Sequence, residues 1–183
     1  NNIFKIIIYI LIFFIISLNL SADEFNITAK EISIDEVNNI LIGKGSVLVT
    51  DQDGRIIKAD KIIYKKNIEF LTAEGSVKII DTDKNILTSK KATYDKLNEL
   101  ISTYENSKVE LKEGYTIESN FINYETEKKI ISSNLSTTLY DEEGNIINLD
   151  MFQYLIKENL FSSLGDIKII DKNKNKYFFK EFY

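Results

Sequence analysis

The chain of 183 residues contains no cysteine, no histidine, no proline and no tryptophan, and a single methionine. Without cysteine there is no disulfide framework, no thiolate metal site and no cysteine nucleophile. Without histidine, every His-dependent triad, base or metal centre is excluded. The absent proline and the abundant Ile, Asn, Lys and Tyr read as a base-composition bias rather than as structure. Positive charge is also modest: 23 basic against 28 acidic residues leave a net charge of −5 and no dense basic run, so nucleic acid is not an expected partner.

What the chain has instead is a period. Tyr64 recurs as Tyr94, Tyr124 and Tyr154, each 30 residues after the last, and Ile34 holds the same place one unit earlier. Gly75 matches Gly45 and Gly165, and Asp81 matches Asp51, Asp141 and Asp171. A fixed period of this length marks a repeat architecture. Within the unit, one column reads Ile27, Ile57, Leu87, Ile117, Ile147, Tyr177, and the next, two residues on, reads Ala29, Ala59, Ser89, Ser119, Leu149, Phe179. A third reads Ile32, Ile62, Ala92, Ile122, Phe152, Phe182, and the tyrosine column follows two residues later. Spacing of two is strand spacing. The step of three between the second and third columns switches parity, which a β-bulge near Lys30, Asp60, Lys90, Asn120 and Asp150 accounts for.

The second half of each unit alternates plainly, as in Leu71, Ala73, Gly75, Val77, Ile79 and again in Ile131, Ser133, Leu135, Thr137, Leu139. One face of each strand is dry and the other wet, and the small residues midway are expected to leave room on the dry face. Hairpin turns rich in residues that tolerate positive φ separate the strands at Asp51–Gly54, Asp81–Asn85, Asp141–Asn145 and Asp171–Asn175. The third unit is expected to differ, with Val109 two residues late and a tighter loop at Lys112–Gly114. A second set of turns follows each tyrosine. About ten to twelve antiparallel strands result. An antiparallel β-jellyroll and a β-solenoid both fit the period, and turns at both ends of each unit favour the jellyroll.

Residues 1–22 read as a secretory signal peptide: Lys5 supplies the positive region, Ile6 to Ile16 is an unbroken apolar run, and small residues lead to cleavage after Ala22. An uncleaved N-terminal anchor is the alternative. Residues 23–183 form one β domain, expected to be truncated at its C-terminus inside a sixth unit.

The run Ala59-Asp60, Ile62, Tyr64, a turn, then Ala73-x-Gly75-x-Val77-x-Ile79-x-Asp81-x-Asp83 resembles the OstA-like repeat of the lipopolysaccharide-transport family. That family comprises LptA, LptC and the periplasmic N-terminal domain of LptD. The resemblance covers residues 25–183 and is weaker in the third and fourth units, where the glycine is missing. It implies an all-β, twisted antiparallel β-jellyroll of about five 30-residue repeats, open at both ends. It also implies a periplasmic place at the outer membrane of a Gram-negative bacterium. Lipid A acyl chains would lie in an apolar slot lined by Ile57, Ala59, Ile62, Leu71, Ala73, Val77, Ile79, Leu87, Ile117, Ile122, Leu135, Leu139, Phe152 and Ile167.

Partners implied by the resemblance are lipopolysaccharide and other Lpt jellyrolls joined by edge-strand augmentation. The N-terminal domain of LptD is the first expectation, bringing an outer-membrane barrel and its lipoprotein plug as further partners. An LptA-like bridge is the alternative. No cofactor, metal or catalytic residue is expected. The Asp51-Gln-Asp53 spacing fits solvated turns better than a calcium site, and no nucleophile gathers with a base. A structural β-repeat such as an adhesin stalk, without ligand, is the competing class.

Overall fold

The computed structural model describes residues 25–182; the expected signal peptide at residues 1–22 lies outside the described residues. The described chain is all β apart from one 3-10 turn at Lys66–Ile68. The strands are β1 (Phe25–Thr28), β2 (Glu31–Asp35), β3 (Ile40–Asp51), β4 (Ile56–Lys65), β5 (Phe70–Ile80), β6 (Ile86–Asp95), β7 (Leu100–Glu110) and β8 (Thr116–Glu125). They continue as β9 (Ile130–Ser133), β10 (Thr137–Tyr140), β11 (Ile146–Leu155), β12 (Leu160–Ile170) and β13 (Lys176–Phe182). All thirteen belong to one sheet in which, apart from two interrupted positions, each strand pairs with its sequence neighbours. Every pairing is antiparallel, which removes the parallel coils of a solenoid. Two strand positions are interrupted. β1 and β2 both lie along β3, and β9 and β10 both lie between β8 and β11. The uninterrupted pattern therefore has fewer strands than the observed thirteen, as the repeat count predicted.

The bulge is real and repeated along one line, but its doubled residues lie on the strands facing the expected positions Asp60, Lys90 and Asn120, which are the single residues opposite them. Gly45 and Ser46 together oppose the single Asp60, because Lys44 pairs with Lys61 and Val47 with Ala59. Gly75 and Ser76 oppose Lys90 in the same way, and Glu105 and Asn106 oppose Asn120. The doubled residues sit at positive φ: 75° and 49° at Gly45 and Ser46, 73° and 46° at Gly75 and Ser76, 60° and 58° at Glu105 and Asn106. Aligned bulges bend every strand at the same height, since a bulge bends its strand and increases the local twist. The sheet thus folds about a crease into two leaves. One leaf carries the Asp turns at its margin and the other the turns that follow each tyrosine.

The glycines of this line do not leave room on the dry face, as the alternation implied. They answer to the backbone. At Gly75 a Cβ would fall 2.4 Å from the Asp60 carboxylate, and φ is already positive. Where the third unit lacks glycine, Glu105 and Asn106 accept the left-handed conformation instead.

The third unit also keeps its register. Val109 pairs with Ile117 just as Ile79 pairs with Leu87, so it is not displaced. Its turn spans Leu111 to Tyr115, the same length as Asp81 to Asn85, closed by the Leu111 N–H to the Tyr115 carbonyl at 2.9 Å. The expected two-residue delay and tighter loop are therefore not found; Ser107 stands where the second unit has Val77.

Parity reversal at the crease has one consequence for packing. Ile57 and Ala59 on one leaf, and Ile62 and Tyr64 on the other, all point between the leaves. The inner side chains of all units form one apolar cluster. Each fully buried Ile, Leu or Val contributes about 1.5–3 kcal/mol relative to exposure.

Candidate functional site: the space between the leaves

The interior brings together nearly all the residues expected to line it. Ile57, Ala59, Ile62, Leu71, Ala73, Val77, Ile79, Leu87, Ile117, Ile122, Leu139, Phe152 and Ile167 are buried, with exposures of 0–6 %. Leu135 is the exception, at 44 % exposure. It lies in the break between β9 and β10. Ser133 and Thr137 take the inner positions on either side, and their hydroxyls donate to the Leu135 carbonyl at 3.4 and 2.8 Å. Those bonds hold the backbone so that the leucine side chain projects to the outside, beside Tyr104 and Phe121. The columns also fail at the two flanks of the sheet: Ile32, Ile34, Tyr177 and Phe179 are 46–59 % exposed, because no opposing leaf among the described residues covers them.

The middle of the interior is closed to water. An alkyl chain lies among these side chains only if the leaves part. Towards β12 and β13 the packing loosens. Leu149, Ile167 and Phe179 line a cleft of about 630 Å³ together with Asp166, Lys168 and Lys180. Near the crease the interior carries hydroxyls rather than branched chains, at Ser89, Thr103, Ser107, Ser119, Ser133 and Thr137. Most of them donate to nearby backbone carbonyls, as Ser89 does to Lys91 at 2.9 Å and Ser119 to Ser136 at 3.1 Å.

The margins of the two leaves meet along a seam opposite the crease, and there the tyrosine and aspartate columns come together. Tyr124 donates its hydroxyl to Asp81 at 2.9 Å, and Tyr94 lies 3.3 Å from Asp51, each pair 43 residues apart. Burial is the first cause that drives both tyrosines well above the ordinary phenol value, with the neighbouring carboxylates adding to it for Tyr124. Each aspartate also organises its own turn. Asp81 accepts from the backbone N–H groups of Asp83 and Asn85, both at 2.8 Å, and from the Asn85 side chain at 2.9 Å. The turn carboxylates are thus occupied by turn donors. Among the described residues no group of acidic side chains is arranged to hold a metal ion.

The first register of the seam is the most heavily charged. Arg55, the only arginine of the chain, is buried against Asp51 at 2.7 Å, Asp53 at 3.0 Å and Glu99 at 3.1 Å, and it also donates to the Tyr94 oxygen. Lys96 reaches across to Asp53 at 3.0 Å and also pairs with Glu99. Burial tends to raise the Glu99 pKa, yet the bonds from Lys96 and Thr126 and the Arg55 charge leave it below the ordinary glutamate value. The Lys96 bond does the same for Asp53. At the second register Lys129 meets Asp83 at 2.6 Å. Phe25 fills the space beneath, edge-on to Tyr64 and Tyr94 with ring centroids 4.9 and 5.6 Å away.

The sequence displayed both columns but not their meeting. The pairing of residue i with i + 43 depends on the fold about the crease, and only the shared period hinted at it. Arg55 carried no signal at all.

The fold defines an antiparallel β-jellyroll made by one repeat-built sheet closing on itself. No protein-family model matches the chain, and no curated protein matches it by sequence. Among solved structures it is similar to LptH, the LptA-homologous periplasmic component of the lipopolysaccharide transport device of Pseudomonas aeruginosa. The TM-score is 0.54 at 20 % identity, covering 62 % of this chain and 85 % of that one. That likeness establishes the jellyroll fold.

Proposed function

We propose that the chain is a periplasmic component of lipopolysaccharide transport. In this reading it carries the acyl chains of lipid A between its leaves while the polar head stays in solvent. The observation that supports it best is the apolar interior, continuous through the successive units, in a fold like that of LptH. Each CH₂ taken from water contributes about 0.8 kcal/mol, so a few sheltered methylenes hold a lipid firmly. The edge strands β2 and β13 expose Ile32, Ile34, Tyr177 and Phe178, surfaces suited to strand addition by a similar jellyroll.

Two placements within such a system share this interior: the N-terminal domain of LptD, joined to an outer-membrane barrel with its lipoprotein plug, and an LptA-like bridge. An immunoblot of fractionated cells separates them. A band of barrel-containing mass in the outer membrane supports LptD, and a small periplasmic band supports the bridge.

The closed middle of the interior favours a second reading, a ligand-free structural repeat. Native mass spectrometry of the full chain isolated from a Gram-negative periplasm decides between them. The transport reading predicts a population carrying one lipopolysaccharide or lipid A mass, displaced by added lipopolysaccharide. Bare protein that stays bare after incubation with lipopolysaccharide would leave only the structural repeat.

A further inference from the structure

Among the described residues the seam is tied by polar contacts at two registers and not at the third. Tyr94 faces Asp51 and Tyr124 faces Asp81, and the next pair in the same 43-residue relation is Tyr154 with Leu111. Leu111 is buried and brings no acceptor; the Tyr154 hydroxyl donates only along its own leaf, to Asn159 at 2.9 Å, whereas Tyr94 has both Glu99 on its own leaf at 3.1 Å and Asp51 across the seam at 3.3 Å. Burial first, then Glu113 and Tyr115, push the Tyr154 phenol up to about 12. Rings replace the ionic contacts here. Phe161 stacks on Tyr154 with centroids 4.1 Å apart and meets Tyr115 edge-on at 5.2 Å. Ring contacts between leaves break without leaving a charge or a buried polar group behind, whereas parting Tyr124 from Asp81 does.

Resting on the transport reading above, we propose that the seam at Leu111, Tyr115, Tyr154 and Phe161 is the port through which an alkyl chain passes sideways between the leaves. The ligand class it fits is a lipid with a bulky polar head: the tails slide past aromatic rings and the head never crosses the interior. The ties at the first two registers keep that part of the seam shut.

The missing tie can be built, which makes the proposal testable. The Leu111 turn has the same length and closing bond as the Asp81 turn, so an aspartate there finds the Glu113 and Tyr115 N–H groups where Asp81 finds those of Asp83 and Asn85. In stopped-flow binding of fluorescent lipopolysaccharide to the full chain, Leu111→Asp is expected to slow loading about tenfold, the factor one charge-assisted hydrogen bond supplies. End-point affinity stays the same, and Leu111→Asp/Tyr154→Phe recovers most of the rate. Loading of a folded Leu111→Asp variant at the unmodified rate overturns the proposal.

Hydrogen exchange without lipid provides the second arm and survives a variant that fails to fold. The Leu111 N–H is expected to exchange about tenfold faster than the Asp81 N–H. Tyr124→Phe, which cuts a tie but keeps the turn, is expected to bring Asp81 towards Leu111. Equal exchange at the two turns, or no response to Tyr124→Phe, overturns the port even if lipid binds. An open seam with no lipid uptake by the unmodified chain overturns the transport reading instead.

Discussion

Replacing Tyr124 by phenylalanine removes one oxygen and nothing else from the seam. The hydroxyl donates to the Asp81 carboxylate at 2.9 Å, and both residues are essentially out of water, at 0 and 2 % exposure. A hydrogen bond to a charged group contributes about 1.5–3 kcal/mol. Asp81 keeps its three donors from Asp83 and Asn85, so the loss leaves no stranded charge, and the lower end, about 1.5 kcal/mol, is expected. Tyr154→Phe is the internal control. Its hydroxyl meets the neutral Asn159 side chain at 2.9 Å, for which about 0.5–1 kcal/mol is expected. Asp81→Ala does more damage than either, about 3 kcal/mol, because it orphans the buried Tyr124 hydroxyl and unties the turn. Urea denaturation with a fixed slope measures all three. Should Tyr124→Phe cost no more than Tyr154→Phe, the Tyr–Asp pairs are not what fastens the two leaves.

Other perturbations test the crease, the core and the charged register. Gly75→Ala is expected to lose more than about 1 kcal/mol from the positive φ and the Asp60 contact, with part restored by Asp60→Ala in a thermal melt. Ile122→Ala, at 0 % exposure, is expected to cost about 2–5 kcal/mol, whereas Leu135→Ala, out on the surface, should stay within about 0.5 kcal/mol. Acid should loosen the first register. Glu99 and Asp53 titrate below their ordinary values of 4.5 and 3.8 in the folded chain. Their contribution is therefore complete above those values and is lost as the pH falls through the lowered ones. Melts between pH 7 and pH 3 should show the loss only at the acid end, and Glu99→Gln should flatten it.

Most of the fold was legible because the unit is repeated. A single parity switch at Asp60 is an accident of one strand, but the same switch at Lys30, Lys90, Asn120 and Asp150 has to be a line of bulges. The inner residues followed from that line, since parity on either side of it decides which side chains face inward. Leu135 escaped because alternation assumes an unbroken strand, and the Ser133 and Thr137 hydroxyls break it by capturing the local carbonyl. Gly75 was misread because spacing cannot tell a small residue chosen for volume from one chosen for φ. The seam was invisible for a different reason. It joins residues 43 apart, across a fold whose closure no local pattern encodes, and the role of Arg55 depends on Glu99, brought from a distant turn to join Asp51 and Asp53 of its own.

The account as a whole stands on alkyl chains lying between the two leaves. A photo-reactive side chain placed in turn at Ile62, Val77, Leu139 and the outward-facing Lys78, followed by irradiation with lipopolysaccharide, tests that directly. Adducts from the three inner positions and none from Lys78 are predicted. Adducts from Lys78 alone, or from no position on a folded chain that has been exposed to saturating lipid, would contradict it.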